Sequence, residues 1–273
     1  MTDPAAVQSL VEAVRNAPKY TAMDAGLVQA LVEQELGKGR GVKETIKAVR
    51  NKLHQVGSAY QEKPIGYAQL YRRLAALPRD LHSPEIKPFC LEAMREHTST
   101  RERLGFLEEF YSQTLASLGP IHSLIDLACG LNPLALPWLP LAPNAQLFAC
   151  DIYTDMTGFL NAFYAHTGVN GRAFTCDLIH NLPDIPVKPV QLALLLKTIP
   201  CLEQVDKSIG RRLLSSIKAE NMLVSFPVHS LGGRGKGMRT NYDQHFQELV
   251  SGLPWQVTRF DFPGELVYRL SRE

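Results

Sequence analysis

No stretch of roughly 18 apolar residues free of charge occurs in the chain, so no membrane-spanning helix is expected. The opening Met1-Thr-Asp-Pro-Ala5 has neither a basic patch nor an apolar segment behind it, and no secretory leader is expected. Cysteine is sparse. Cys90, Cys129, Cys150, Cys176 and Cys201 are odd in number, widely spaced, and lack both a C-x-x-C pair and a companion histidine pattern. These absences argue against a zinc site or a disulfide framework and lead to the expectation of a soluble, cytoplasmic, metal-free protein with reduced thiols. Internal repeats and low-complexity tracts are also missing. What remains is 273 residues of ordinary globular composition, 45% hydrophobic and 21% charged, enough for one large domain or two small ones.

The formal net charge of +2 conceals an asymmetry. Residues 1–105 hold 16 Lys and Arg against 12 Asp and Glu, whereas residues 106–273 hold 13 against 15. In the N-terminal segment 42–54, Ile46, Val49 and Leu53 share one helical stripe, and Lys43, Lys47 and Arg50 share another. A solvated face and a phosphate-binding face both fit that row of cations.

From Ala5 to about Leu118 apolar residues recur at helical spacing, with breaks at Pro18, Gly37-Lys-Gly-Arg-Gly41, Pro64-Ile-Gly66, Pro78 and Pro84. After Gly119-Pro120 the pattern changes to strand-sized apolar runs at 123–128, 146–150, 172–176, 190–196 and 222–226, with helical stretches near 155–167, 203–219 and 239–251. A parallel α/β sheet is the expected arrangement. Two last strand-like runs, 255–262 and 266–270, meet at Pro263-Gly264 and predict an antiparallel hairpin at the edge of the sheet.

Ligands of an open parallel sheet bind beyond the carboxyl ends of its strands, and here those positions are polar. The first strand ends in Asp126-Leu-Ala-Cys-Gly130, the second is followed by Asp151, the third by Asp177 and the fourth by Lys197. One such residue is ordinarily a turn former. Three acids after three successive strands, with a glycine permitting close approach, point to a ligand, and Asp151 stands where it can accept both hydroxyls of a ribose. The G-x-G-x-x-G turn of diphosphate-bearing cofactors is absent, since Gly130-Leu-Asn-Pro-Leu-Ala135 has a single glycine. S-adenosylmethionine carries a ribose and an adenine without a phosphate and so suits the pattern. Gly232-Gly-Arg-Gly-Lys-Gly237 is not a Walker A loop, because Ser230 and Gly237 stand where glycine and Ser/Thr are required. A solvated basic loop and a substrate-contacting loop both remain open for it.

Several segments taken in order carry a resemblance: His97-Thr-Ser-Thr-Arg-Glu-Arg-Leu104, Asp126-Leu-Ala-Cys-Gly-Leu-Asn-Pro-Leu134, Leu195-Leu-Lys-Thr-Ile-Pro200, Val224-Ser-Phe-Pro227, Ser230–Met238 with Asn241-Tyr242, and Gly264-Glu-Leu-Val-Tyr268. From about Lys19 to the last strand the chain resembles the aminoglycoside-resistance 16S ribosomal RNA guanine-N7 methyltransferases. The resemblance implies a class I, Rossmann-like S-adenosylmethionine-dependent methyltransferase sheet over residues 106–273, preceded by a helical extension over residues 1–105 that docks on the 30S subunit. It implies that Arg103 holds the cofactor carboxylate, with His97, Thr98 and Ser99 lining that end, and that Ala128 and Gly130 lie against the methionine portion. By the same resemblance Asp151 binds the ribose, Asp177 and Leu178 bracket the adenine, Leu196 and Lys197 edge the pocket near the reacting centre, and Tyr60 reaches the cofactor from the helical part. On the RNA side, the expectation is that Lys43, Lys47, Arg50, Arg72 and Arg73 meet phosphates, that Arg234, Lys236 and Met238 secure a flipped base, and that Glu265 contacts the guanine edge.

Guanine N7 has an in-plane lone pair and no proton, so alignment suffices and no general base is expected. Pro200-Cys201 is a counter-signal, because a nucleophilic thiolate in that setting belongs to cytosine-C5 chemistry. Methylation of another decoding-site base, adenine N1 or cytosine C5, and a non-catalytic RNA-binding relative are the competing readings. Nothing in the sequence signals oligomerisation, and a monomer is expected.

Overall fold

The structure is a computed structural model and describes residues 3–58, 63–187, 189–228 and 237–272. The helical part begins with α1 (Pro4–Arg15), α2 (Ala25–Leu36) and α3 (Val42–Leu53), which pack on one another. Asp3 and Asp24 cap the first two helices by accepting from the backbone N–H of Ala5 and Leu27, which satisfies donors that the helix itself leaves free. Then come α4 (Tyr67–Ala75), α5 (Ile86–Met94), the single turn α6 (Thr98–Arg101) and α7 (Leu107–Thr114).

The sheet has seven strands: β1 (Ile121–Leu127), β2 (Leu141–Asp151), β3 (Gly171–Thr175), β4 (Val190–Leu196), β5 (Ala219–Pro227), β6 (Trp255–Asp261) and β7 (Glu265–Arg272). Their order is β3-β2-β1-β4-β5-β7-β6, with the first five parallel and the terminal hairpin antiparallel. The hairpin turns through Pro263-Gly264, its ends joined by paired bonds between Phe262 and Glu265. β1 and β4 are almost wholly buried, as their apolar runs require for central strands covered on both faces. One face is covered by α8 (Thr154–Thr167) together with α4, α5 and α7, the other by α9 (Thr198–Leu202), α10 (Ile209–Ser216) and α11 (Met238–Val250).

The helical part is not a detached lobe. A single apolar core runs from Val7 through Leu31, Phe89 and Phe110 to Leu194 and Val267. Helices continue past residue 105 to Thr114, and α5 and α7 both pack on the Asn132–Trp138 segment between β1 and β2. Tyr67 and Tyr71 of α4 meet Phe159 of α8 at ring-centroid distances of 5.6 and 5.4 Å. Met23 bridges Tyr153, the Asp24 N–H donates to the Ile152 carbonyl at 2.7 Å, and the Thr154 N–H donates to that of Ala22 at 2.8 Å. These contacts pull the start of α2 and the end of α3 over the carboxyl end of β2.

Candidate active site

Sheet order reverses between β1 and β4, and the cavity opens there, as expected of a topological switch point. The backbone at both strand ends is left-handed: Ala128 and Gly130 have φ of 51° and 52°, and Lys197 has φ of 60°. At Gly130 a Cβ would stand 2.7 Å from the His97 ring, so the loop needs glycine there.

Of the residues expected to hold a cofactor, His97, Ser99, Ala128, Asp151, Asp177, Leu178, Leu196 and Lys197 line this cavity. Asp151 accepts the Gly130 N–H on Oδ2 at 2.8 Å and the Ile152 N–H on Oδ1 at 2.7 Å. With the Tyr153 N–H as a third donor, four lone-pair sites leave an acceptor for a ribose hydroxyl. Burial raises the Asp151 carboxyl above its ordinary value, and the backbone N–H groups of Gly130, Ile152 and Tyr153 oppose that rise. Asp177 caps its own turn through the Ile179 N–H at 2.9 Å and pairs with His180. Leu178, Ile179, Leu196 and Leu202 supply an apolar slot beside these acids, so the residues present fit an adenosine-bearing ligand. His97 is held neutral, its pKa pushed down to about 4 by burial and by the Lys197 and Arg101 charges, and its Nδ1 lies 3.0 Å from the Ser99 hydroxyl.

Arg103 and Glu265, both expected at the site, pair with each other. Arg103 does not line the cavity: it is 1% exposed, and its guanidinium is bidentate to Glu265 at 3.0 and 2.6 Å and bonded to Asn132 Oδ1 at 2.8 Å. Three of its five N–H donors are thus engaged by protein acceptors. Glu265 in turn is fully buried and also accepts from the Ser225 hydroxyl, so it is not presented to a guanine edge. Burial raises the Glu265 carboxyl, but Arg103 and Lys197 outweigh it and hold the group below its ordinary value. The network continues through Asn132 to Tyr111 and to Asp126, whose Oδ1 has no hydrogen-bond partner among the described residues.

Thr98 is buried but outside the cavity lining. Met238 begins α11, half-buried and away from the lining. Lys43, Lys47, Arg72 and Arg73 are exposed, Arg73 paired with Glu92, whereas Arg50 turns inward to the Ala13 carbonyl at 2.7 Å. The cationic row of α3 is therefore Lys43 and Lys47 without Arg50. Tyr60, Arg234 and Lys236 lie outside the described residues.

Leu27, Val56 and Gly57 were not singled out from the sequence, yet they line the cavity from the helical part. A Cβ on Gly57 would come within 2.7 Å of the Tyr153 hydroxyl, so a glycine closing a helix was the one available signal. Ile152, Tyr153, Cys176, Thr198 and Cys201 complete the wall. Among the described residues no cluster of His, Cys, Asp and Glu could hold a metal ion, and no helix is long and apolar enough to cross a membrane.

This sheet order, with an acid-rimmed cavity at the switch point, is that of the class I methyltransferases. The chain belongs to the FmrO family of ribosomal RNA methyltransferases, whose profile matches residues 16–269. It is 32% identical over 268 residues, 97% of each chain, to a 16S rRNA (guanine(1405)-N(7))-methyltransferase of Micromonospora echinospora. A protein of the same name from Serratia marcescens is 31% identical over 261 residues, 93% of this chain and 94% of the other. The solved structure of the 16S rRNA methyltransferase RmtF in complex with S-adenosyl-L-homocysteine superposes with a TM-score of 0.81 at 29% identity, covering 100% of both chains.

Proposed function

We propose that this protein transfers the methyl group of S-adenosylmethionine to N7 of a guanosine in the decoding site of 16S rRNA, acting on the assembled 30S subunit and conferring aminoglycoside resistance. The observation that carries the reading is the cavity at the β1–β4 switch point, with Asp151 and Asp177 on its rim, in a chain of the ribosomal RNA methyltransferase family. The bound cofactor supplies an electrophilic methyl on a sulfonium. Asp151 takes a ribose hydroxyl, Asp177 and Leu178 flank the adenine, and the left-handed Ala128–Gly130 loop lets backbone approach the methionine portion. The protein's contribution to rate is alignment and exclusion of water, because N7 carries its lone pair in the ring plane and loses no proton.

A guanosine within an A-form helix hides N7 in a deep, narrow groove, so the nucleotide must leave its stack. Exposed Lys43, Lys47 and Arg72 on the helical part support docking through phosphates. Methylated N7 is cationic and no longer an acceptor, which opposes a polycationic drug by charge and by loss of a hydrogen bond.

One observation favours a second reading: Cys201 lines the cavity, as a cytosine-C5 nucleophile would. Its thiol, however, donates to the Lys197 carbonyl at 3.1 Å inside α9. Labelled methyl transfer to 30S subunits and to naked 16S RNA, followed by borohydride–aniline cleavage, tests the proposal. Cleavage at one guanosine supports it, and a covalent RNA adduct at Cys201 or an absence of transfer overturns it.

A further inference from the structure

Among the described residues that line the cavity, Lys197 is the one lysine or arginine, and its placement is costly. It is 2% exposed, and its backbone sits at φ 60°, ψ 17° directly after β4, a conformation that side chains with a Cβ seldom adopt. The Ser225 carbonyl and hydroxyl, both accepting the Lys197 N–H at 3.1 and 3.0 Å, hold it there. Strain of this kind gathers where a side chain must be aimed.

The ammonium donates to Glu102 Oε2 at 2.6 Å and to the Ser99 carbonyl at 3.3 Å. The next acceptor, Glu265 Oε2, stands at 3.7 Å, beyond hydrogen-bond length. An ammonium has three N–H bonds, so among the described residues one donor has no protein acceptor at bonding distance. The partner Glu102 is itself 36% exposed and stands outside the cavity lining.

We propose that Lys197 is a specificity-determining residue that reads the purine, donating its remaining N–H to O6 of the target guanine while N7 faces the cofactor methyl. The assignment rests on the guanine-N7 reading above. Guanine presents two acceptors side by side on this edge, N7 and O6, whereas adenine carries an N–H donor where O6 would be. A lysine at this point therefore favours guanine and leaves an adenine facing donor against donor. In the transfer the N7 lone pair forms the new N–C bond, the S–C bond electrons return to sulfur to give S-adenosylhomocysteine, and no proton moves. The ring then bears a positive charge, which a bare ammonium would oppose. Glu102 at 2.6 Å offsets the ammonium and Glu265 offsets Arg103, so two carboxylates face two cations and the site offers O6 a strong donor without a net positive charge.

A chemical cycle tests this. 30S subunits are reconstituted with 16S RNA carrying either guanosine or 2-aminopurine riboside at the target, the latter keeping N7 and lacking O6. Methyl transfer is measured with the unaltered protein and with Lys197→Met. The unaltered protein should lose about 10- to 100-fold in kcat on 2-aminopurine, the scale of one hydrogen bond from a charged donor. Lys197→Met should lose a similar factor on guanosine and little more on 2-aminopurine. Equal losses on both substrates would overturn the proposal, as would a fall in S-adenosylhomocysteine affinity large enough to account for the loss. Should the methionine variant not fold, Lys197→Gln, which keeps a donor, should retain part of the preference for guanosine, and a complete loss of that preference in a folded Gln variant counts against the assignment. Failure of the unaltered protein to methylate unmodified 30S subunits would instead refute the underlying guanine-N7 reading.

Discussion

The Glu265→Gln substitution keeps the shape of the side chain and removes its charge, leaving the buried Arg103 without its anion. Removing one partner of a buried ion pair costs about 3–5 kcal/mol. Asn132 still accepts from Arg103, and the new amide oxygen accepts one further bond, so the lower end, about 3 kcal/mol, is expected. That is a large part of a total stability of roughly 5–15 kcal/mol. At about 2–4 °C per kcal/mol for a chain of this size, Tm should fall by about 6–12 °C. Urea unfolding should show the same loss as a lower midpoint with an unchanged slope. The pH dependence has a definite sign. Burial raises the Glu265 carboxyl, but Arg103 and Lys197 hold it below the ordinary 4.5, so its contribution is present above 4.5 and is lost as pH falls through the lower, folded value. The gap between the two proteins should therefore narrow on acidification below that point. An unchanged Tm together with abolished methyl transfer would refute the reasoning and restore Glu265 to the substrate edge.

Asp126 predicts the opposite slope: burial lifts its carboxyl to about 7 from 3.8, so it stabilises the fold at low pH and that contribution is lost as pH rises through about 7. Asp126→Asn should thus be neutral near pH 4 and more stable than the parent above pH 7 by up to about 4 kcal/mol, measured by urea unfolding at several pH values. The Cys176 thiol is lowered by its hydrogen bond with Cys150 and borders the cavity, whereas Cys90, Cys129 and Cys150 are buried. Alkylation followed by mass spectrometry should modify Cys176 and Cys201 first, and S-adenosylhomocysteine should slow both; equal rates with and without it would contradict the placement of the cofactor. Lys43→Ala and Lys47→Ala should each weaken 30S binding and reduce its salt slope by about 0.7–0.9, and an unchanged slope would remove α3 from the docking face.

The seven strands and their terminal hairpin were readable because a buried parallel strand must be a short apolar run, and the acids at positions 126, 151 and 177 marked where those runs stop. Asp151 and Asp177 reach the cavity for that reason, while Asp126 turns inward to Asn132. The pairing of Arg103 with Glu265 joins residues 162 apart, and no local periodicity encodes it. Arg50 illustrates the limit of a helical wheel: it shares a stripe with Lys43 and Lys47, but the neighbouring α1 presents the Ala13 carbonyl, and the guanidinium bends toward it. Likewise, Leu27 and Val56 belong to the cavity only because the Met23–Tyr153 bridge folds the helical part over β2, a tertiary contact invisible to composition.

Nucleoside-resolved mass spectrometry of 16S rRNA, taken from 30S subunits incubated with the protein and S-adenosylmethionine, identifies the methylated atom. A single added methyl is expected, found as 7-methylguanosine in the decoding-site fragment. A methyl on adenine N1 or cytosine C5, or none at all, would contradict the guanine-N7 reading.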